Sequence, residues 1–344
     1  MGVTLLRHGL LFSRPKPIVA FWSWEFETTP RAWKRIGGVV DQIWTNSDFA
    51  KASFEKRFPD IPVVKVPMPP LVDQSGNQMN WQNKNQTSDK PLGFICVFDF
   101  FSDQNRKNPA GAIQSFLKAF GRNTPNAKLT IKSVNGHKYK FELEQLKRLA
   151  QEDESIVFLD SNLQRDEVDY LIASNQVLLS LHRAEGFGFN MFDALAMGLC
   201  VVATGYSGNL EYSNHPNMKL VNFDLQEFNR QYSSYRIKSR WAEPNTDHAA
   251  LILSSLERDF RAGKKVKSTN QLNDNYESNL TSFAKELDVF VTHPNLGHSA
   301  SLVRPALTRL LCGLSALGAG LAIVIFGSFR LRLARFIARM RFRL

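Results

Sequence analysis

The sequence predicts an α/β protein built on doubly wound parallel sheets. Three observations carry this. Short apolar runs alternate with amphipathic stretches along most of the chain. Gly, Pro and Asn cluster where one pattern gives way to the next. The chain has 344 residues and 43% hydrophobic content, enough for two lobes with cores of their own.

The elements follow in order. "PIVAFW" (17–22) reads as a buried strand, "PRAWKRIGGVVDQ" (30–42) as a short helix or loop, and "IWTNS" (43–47) as a strand. Ser47 or Asp48 caps the helix "FAKASFEKRF", and "PVVKVP" (62–67) is another strand. Residues 1–71 therefore form a first lobe. Residues 72–90 are polar, rich in Asn, Gln and Ser, and read as a linker. A second lobe spans 91–292. Strand "LGFICVFDF" leads to helix "NPAGAIQSFLKAFG", whose Pro109 suits a first helical turn. Strand "KLTIKSV", helix "KFELEQLKRLAQ", strand "SIVFLD", helix "RDEVDYLIAS" and strand "VLLSLH" continue the series. Helix "NMFDALAMG" and strand "CVVATG" come next, and helices over 246–260 and around 276–291 close the body.

The net charge of +11 is unevenly placed, because 301–344 holds eight arginines and no acid, leaving +3 for residues 1–300. The high pI thus describes the tail, and the body carries no basic–aromatic interleaving of the kind that binds nucleic acid. Cys96, Cys200 and Cys312 form no spaced framework, which points to a reducing compartment. The N-terminal apolar patches are interrupted by Arg7 and His8, unlike a signal peptide, and Leu6 stands where a myristoylation motif wants Ser or Thr.

The densest chemistry lies in "LSLHRAEGFGFNMFDALAMGLCVVATGYSGNLEY", residues 179–212. Ligands of open α/β sheets bind beyond the carboxyl ends of strands, and Glu185 follows such an end. Gly186 and Gly188 flank Phe187 and let the backbone turn against a ligand. The following helix directs its free N–H groups and positive end into the same space, an arrangement suited to a diphosphate. Asp193, one turn into that helix, can accept from the vicinal hydroxyls of a ribose. Arg106 and Lys107 sit in the loop after the lobe's first strand, on the same edge as Glu185, where cations complement a diphosphate. Gly208, within Tyr206 to Asn209, lines the same crevice. Read singly, each of these residues also suits a solvated charge or a plain turn. No G-x-G-x-x-G fingerprint is present, which argues against a nicotinamide site.

Together these stretches resemble retaining glycosyltransferases of the GT-B fold, in the "glycosyl transferases group 1" class of the family four type. The resemblance rests on "HRAEGFGFNMFDALAMGLCVVATGYSGNLEY", "FDFFSDQNRKNPAGAIQSF", "WAEP" and "FWSWEFETTPRAWKRIGGVVDQIWTNSDF", and covers roughly residues 17–290. It implies two Rossmann-like lobes with parallel sheets. It implies that Glu185 contacts the donor sugar and Asp193 the ribose. Lys107 and Arg106 would neutralise the diphosphate, and Gly186, Phe187 and Gly188 would offer it backbone N–H groups. No metal or other cofactor is required in that family. His182 falls where it could face the sugar, or pack as an ordinary histidine. The second acid is Glu in most of the family and Asp193 here.

About 16 residues precede "PIVAFW", where the family has several more elements, so the first lobe is expected to be incomplete. Trp22, Trp24 and Glu25 fall where relatives hold acceptor-side groups; core packing is the other reading of the tryptophans. The expected activity is transfer of a sugar from a nucleotide-sugar donor to a glycan or lipid acceptor with retention. The alternative is a catalytically weak or inactive nucleotide-sugar-binding, membrane-attached partner protein, and a sugar epimerase shares the fold logic without the paired acids. Leu310 to Phe329 is an uncharged run of 20 residues, bounded by Arg309 and Arg330, of a length that crosses a bilayer as a helix. Six arginines follow it. A spanning helix would put the lobes outside, away from a nucleotide-sugar, so 304–344 is expected to associate with a membrane from its cytoplasmic side. A buried terminal helix is the bland reading.

Overall fold

The structure, a computed structural model, describes residues 19–37, 40–68, 90–232, 235–264, 272, 279, 311–313 and 321–324. The chain divides into two compact units. One comprises 1–69, 228–239 and 273–344, and the other 70–227 and 240–272.

In the first unit, β1 (Val19–Phe21), β2 (Gln42–Thr45) and β3 (Val63–Lys65) pair in parallel, in that order. Helix α1 (Asp48–Arg57) lies between β2 and β3, and the Ser47 side chain caps it by accepting from the Ala50 N–H. The core of the unit is aromatic. Trp22 packs against Trp33, Phe54 and Phe58, with ring centroids 5.3–5.7 Å apart. Trp24 and Phe26 meet Tyr232, and Phe26 also meets Phe228. Tilted and edge-on pairs of this kind each add about 0.5–1.5 kcal/mol beyond area burial. The acceptor-side expectation for Trp22 and Trp24 is corrected here: they are 2% and 3% exposed, and their rings fill the core rather than an open face.

The expected apolar helix of the tail is also corrected in part. Leu311–Gly313 and Leu321–Val324 are strands, β12 and β13, and β13 pairs antiparallel with β1. An unpaired strand edge is a ready template for any apolar chain segment that can reach it. Among the described residues no helix is long and apolar enough to cross a membrane. The rest of 304–344, the predicted linker 72–89 and nearly all of the predicted helix at 276–291 lie outside the described residues.

The second unit holds a six-stranded, wholly parallel sheet. Its strands are β4 (Leu92–Asp99), β5 (Ala127–Val134), β6 (Ile156–Asp160), β7 (Val177–Ser180), β8 (Cys200–Thr204) and β9 (Met218–Val221). They lie in the order β6-β5-β4-β7-β8-β9. That is the doubly wound order in which the winding reverses between the first and fourth strands, here β4 and β7. Helices α2 (Pro109–Phe120), α3 (Lys140–Ala150), α4 (Arg165–Ala173), α5 (Phe189–Ala196) and α6 (Thr246–Arg261) complete the unit. β4 and β8 are apolar on both faces, as central parallel strands covered by helices must be. Asn108 caps α2 through its Oδ1 and Pro109 opens it, while Gly121 ends it at φ +73°. The core runs from Phe94, Cys96 and Phe98 through Ile113 and Phe116 to Leu179, Val202 and Leu253.

A hairpin of β10 (Phe223–Tyr232) and β11 (Tyr235–Pro244) departs from the expectation of one continuous lobe over 91–292. Its outer part, 228–239, belongs to the first unit and its base to the second. The alternation in "FNRQYSSYRIKSRW", with Ser-Ser between two strand-like runs, is the signal for it.

Candidate functional site

β4 and β7 are the strands at which the sheet reverses, and the loops after them carry the candidate residues. After β4 the chain makes a single helical turn, Gln104–Lys107, held between two residues with left-handed backbone, Asp103 (φ 64°) and Asn108 (φ 51°). Asp and Asn tolerate this region because their short side chains bond locally. Asp103 accepts from the Asn105 N–H at 2.9 Å, and Asn108 accepts from the Gly111 N–H at 3.1 Å. Asn108 also donates from Nδ2 to the Leu181 carbonyl at 2.8 Å, which ties this loop to the end of β7.

The turn sets its two cations at Glu185. Lys107 Nζ lies 2.5 Å from Glu185 Oε1, and Arg106 Nη1 lies 3.2 Å from the same oxygen. Arg106 is 2% exposed and its guanidinium also donates to the Ala184 and Ser102 carbonyls. Burial alone would raise the pKa of the Glu185 carboxyl. Lys107 and Arg106 outweigh it and bring the pKa down to about 2, so the group is an anion at neutral pH. Two cations on one buried carboxylate leave this cluster with a net positive charge. An incoming phosphate can share that charge without bringing a counterion.

The Gly186-Phe187-Gly188 stretch leads into α5. Gly188 stands at φ +82° immediately before the helix, and the Tyr212 hydroxyl donates to the Phe187 carbonyl at 2.7 Å, with that of Gly188 at 2.9 Å beside it. Phe187 is 6% exposed and packs with Phe189, Phe192 and Tyr212. It is therefore a support of the loop rather than a ligand face. Gly208 is held against the same loop, its N–H donating to the Glu185 carbonyl at 2.9 Å. The Glu185 N–H donates to Ser207 Oγ at 2.8 Å. The result is two loops pinned to each other, with the first turn of α5 opening beside Glu185.

His182 does not meet the expectation that it faces a sugar. It is 0% exposed, and burial lowers its pKa and keeps the ring neutral. Asn209 gives its Nδ2 to the Thr204 carbonyl at 2.9 Å, so its Oδ1 turns to His182 Nε2 at 3.1 Å and receives that proton. Ser180 Oγ lies 3.2 Å from the other ring nitrogen. The imidazole latches the end of β7 to the loop after β8. Asp193 is also 0% exposed, and Arg165, at the start of α4, donates to its Oδ2 at 2.8 Å. Arg165 holds Asp169 as well, at 2.9 Å, and its side chain is 29% exposed. Glu25 belongs to the first unit.

Several contributors carry little signal in the sequence. Arg165 carries no signal there beyond a charge in a helix's first turn. Arg183 makes a two-pronged pair with Glu243, at 2.5 and 2.8 Å, with its guanidinium 5.3 Å from the centre of the Trp241 ring. The resemblance of "WAEP" to the family marked that stretch without its partner.

Residues 80–222 match the family model described as "Glycosyl transferases group 1". A search of curated proteins gives no match. Among solved structures, HepE of Anabaena, in complex with UDP and glucose, superposes with a TM-score of 0.52 at 16% identity, covering 79% of this chain and 71% of that one. A UDP-forming α,α-trehalose-phosphate synthase of Burkholderia vietnamiensis gives 0.51 at 13% identity, covering 80% and 70%. TarM gives 0.49 at 11% identity, covering 76% of this chain and 45% of that one. The chain thus spans less than half the length of TarM. The fold is the GT-B type, with a wholly parallel sheet in the second unit and a sheet in the first whose β1, β2 and β3 are parallel and whose β13 joins antiparallel.

Proposed function

We propose, from the match of residues 80–222 to the glycosyl transferases group 1 family, that the second unit binds a nucleotide-sugar through its diphosphate, for transfer of the sugar with retention to a glycan or lipid acceptor. The observation that carries the reading is the triad of Arg106, Lys107 and Glu185 at the point where the sheet reverses, beside the first turn of α5. Lys107, 21% exposed at its side chain, is the cation that can turn from Glu185 to a phosphate oxygen. Arg106, more deeply buried, adds its charge from behind. The developing charge on a leaving diphosphate would be met by these cations and the helix end. Glu185, released from part of its pairing, would accept from sugar hydroxyls. The ribose would meet the Arg165–Asp193 pair, whose exposed part is the guanidinium. That HepE was solved with UDP and glucose supports a uridine nucleotide as the first probe.

Turnover tests this reading. Release of nucleoside diphosphate from a panel of UDP-, GDP- and ADP-sugars should be detectable with the full chain. It should fall roughly 10- to 100-fold in Lys107→Met, the size of one lost charge-assisted bond. No release from any donor, or equal rates in the variant, would reject catalysis at this site and leave donor binding without transfer as the better reading.

Membrane association through 304–344, from the cytoplasmic side, is part of the proposal, supported by six arginines and no acid after Phe329. The chain is expected to float with anionic vesicles and not with neutral ones. Equal behaviour with both, or none with either, would remove this part.

A further inference from the structure

We infer that Arg183 is a positioning residue for the cation-bearing turn, tying Gln104–Lys107, the strand end that carries Glu185, and Trp241–Glu243 into one rigid piece. The inference deepens the diphosphate-site reading and rests on it for its functional consequence.

Arg183 uses nearly all of its bonding capacity on these three segments. Its backbone N–H donates to the Arg106 carbonyl at 2.7 Å, and its Nη1 donates to the Asn105 carbonyl at 2.5 Å. These are the two carbonyls immediately before Lys107. Its Nε and Nη2 hold both oxygens of Glu243, and its own carbonyl accepts from the Ala242 N–H at 2.9 Å. Trp241 lies under the guanidinium.

The turn has only two backbone bonds of its own, from the Lys107 and Asn108 N–H groups to the Asp103 and Gln104 carbonyls, which is little to fix the dihedrals of four residues. The carbonyls of Asn105 and Arg106 have no next turn to receive them, and Arg183 takes that place. Charge does not explain the arrangement. Glu243 neutralises the guanidinium, so Arg183 adds little net attraction for an anion, unlike Arg106 and Lys107. Geometry does explain it. Only a planar fork reaches a carboxylate with two prongs and a carbonyl with a third. The pair is partly shielded, with side chains 19% and 32% exposed.

The test compares wild type, Arg183→Lys, Arg183→Met and Glu243→Gln as full chains, first without ligand and then with UDP. Hydrogen exchange should rise at the Lys107 and Asn108 amides in both Arg183 variants, with residues 94–98 unchanged. Glu243→Gln, which keeps the fork but weakens its anchor, should give a smaller rise, and serves alone if the Arg183 variants do not fold. The Kd for UDP should rise roughly tenfold in Arg183→Lys and Arg183→Met alike, the order by which supporting residues behind a bound ion count. Unchanged exchange at Lys107 and Asn108, or full recovery by Arg183→Lys, would overturn the inference. A wild type that binds no UDP would reject the site reading for that nucleotide, while the exchange result would still decide the positioning role.

Discussion

Glu185→Gln is expected to cost the ligand-free protein about 3–5 kcal/mol, because it leaves two cations facing each other without their shared anion. Arg106 and Glu185 are 3% and 9% exposed at their side chains, so solvent screens little of this. Denaturant unfolding at neutral pH measures the loss, and UDP or pyrophosphate should restore part of it by supplying the missing negative charge. The same carboxylate sets an acid limb. Its pKa lies near 2 in the folded protein against an ordinary 4.5, so its stabilisation is full above 4.5 and is lost as pH falls from 4.5 towards 2. A shift of that size corresponds to about 3 kcal/mol. Stability of the wild type should therefore drop through this window, and Glu185→Gln should flatten that part of the profile. A variant as stable as wild type, with the same acid limb, would mean that the triad is not coupled as its distances indicate.

Gly208→Ala is expected to be nearly as damaging, at roughly 4 kcal/mol, near the upper end of single-site effects. A Cβ there would lie 2.0 Å from the Gly186 carbonyl oxygen, 2.3 Å from its carbon and 2.8 Å from the Phe187 nitrogen. These are backbone atoms and cannot rotate aside, so the two loops must part. That breaks the bond from the Gly208 N–H to the Glu185 carbonyl and moves the carboxylate off Lys107. Gly121→Ala is the control. No atom lies within 4 Å of its added Cβ, so only the cost of its backbone conformation, φ +73° and ψ −163°, remains, about 1–3 kcal/mol. Thermal unfolding and UDP affinity should both fall sharply for the first variant. The second should lose stability alone. Comparable losses in the two would show that loop contact at Gly208 is not the constraint.

Much of the second unit is legible in the sequence because its signals are local. Strands β4, β6, β7 and β8 are short, mostly apolar runs and β5 alternates polar with apolar residues, and parallel topology then puts the loops of Lys107 and Glu185 on one edge. Asn108-Pro109 and Gly121 mark the ends of α2 by their backbone preferences alone. What escapes is set by long-range partners. Arg183 and Glu243 are 60 positions apart, and Arg165 and Asp193 are 28 apart, with no periodicity linking either pair. His182 looks like a ligand in sequence because it adjoins Glu185. Its burial depends on Asn209, which only the loop after β8 brings to it. Trp22 and Trp24 carry the same ambiguity, since a large aromatic suits both an acceptor face and a core. The partners Phe228 and Tyr232, about 200 residues on, decide it for Trp24 and Phe26. The apolar stretch near 320 has a composition that fits a helix, yet Leu321–Val324 takes the free edge of β1. Pairing with an existing strand outweighs local preference there.

The central claim is that Arg106, Lys107 and Glu185 receive the diphosphate of a nucleotide-sugar. Calorimetric titration of UDP, GDP and ADP, each with and without its sugar, into the intact chain tests it most directly. One nucleotide should bind saturably at one site per chain, more tightly than the nucleoside lacking phosphates. Its affinity should fall roughly 10-fold or more in Lys107→Met. Absence of binding by all six ligands, or binding that Lys107→Met leaves unchanged, would contradict the claim.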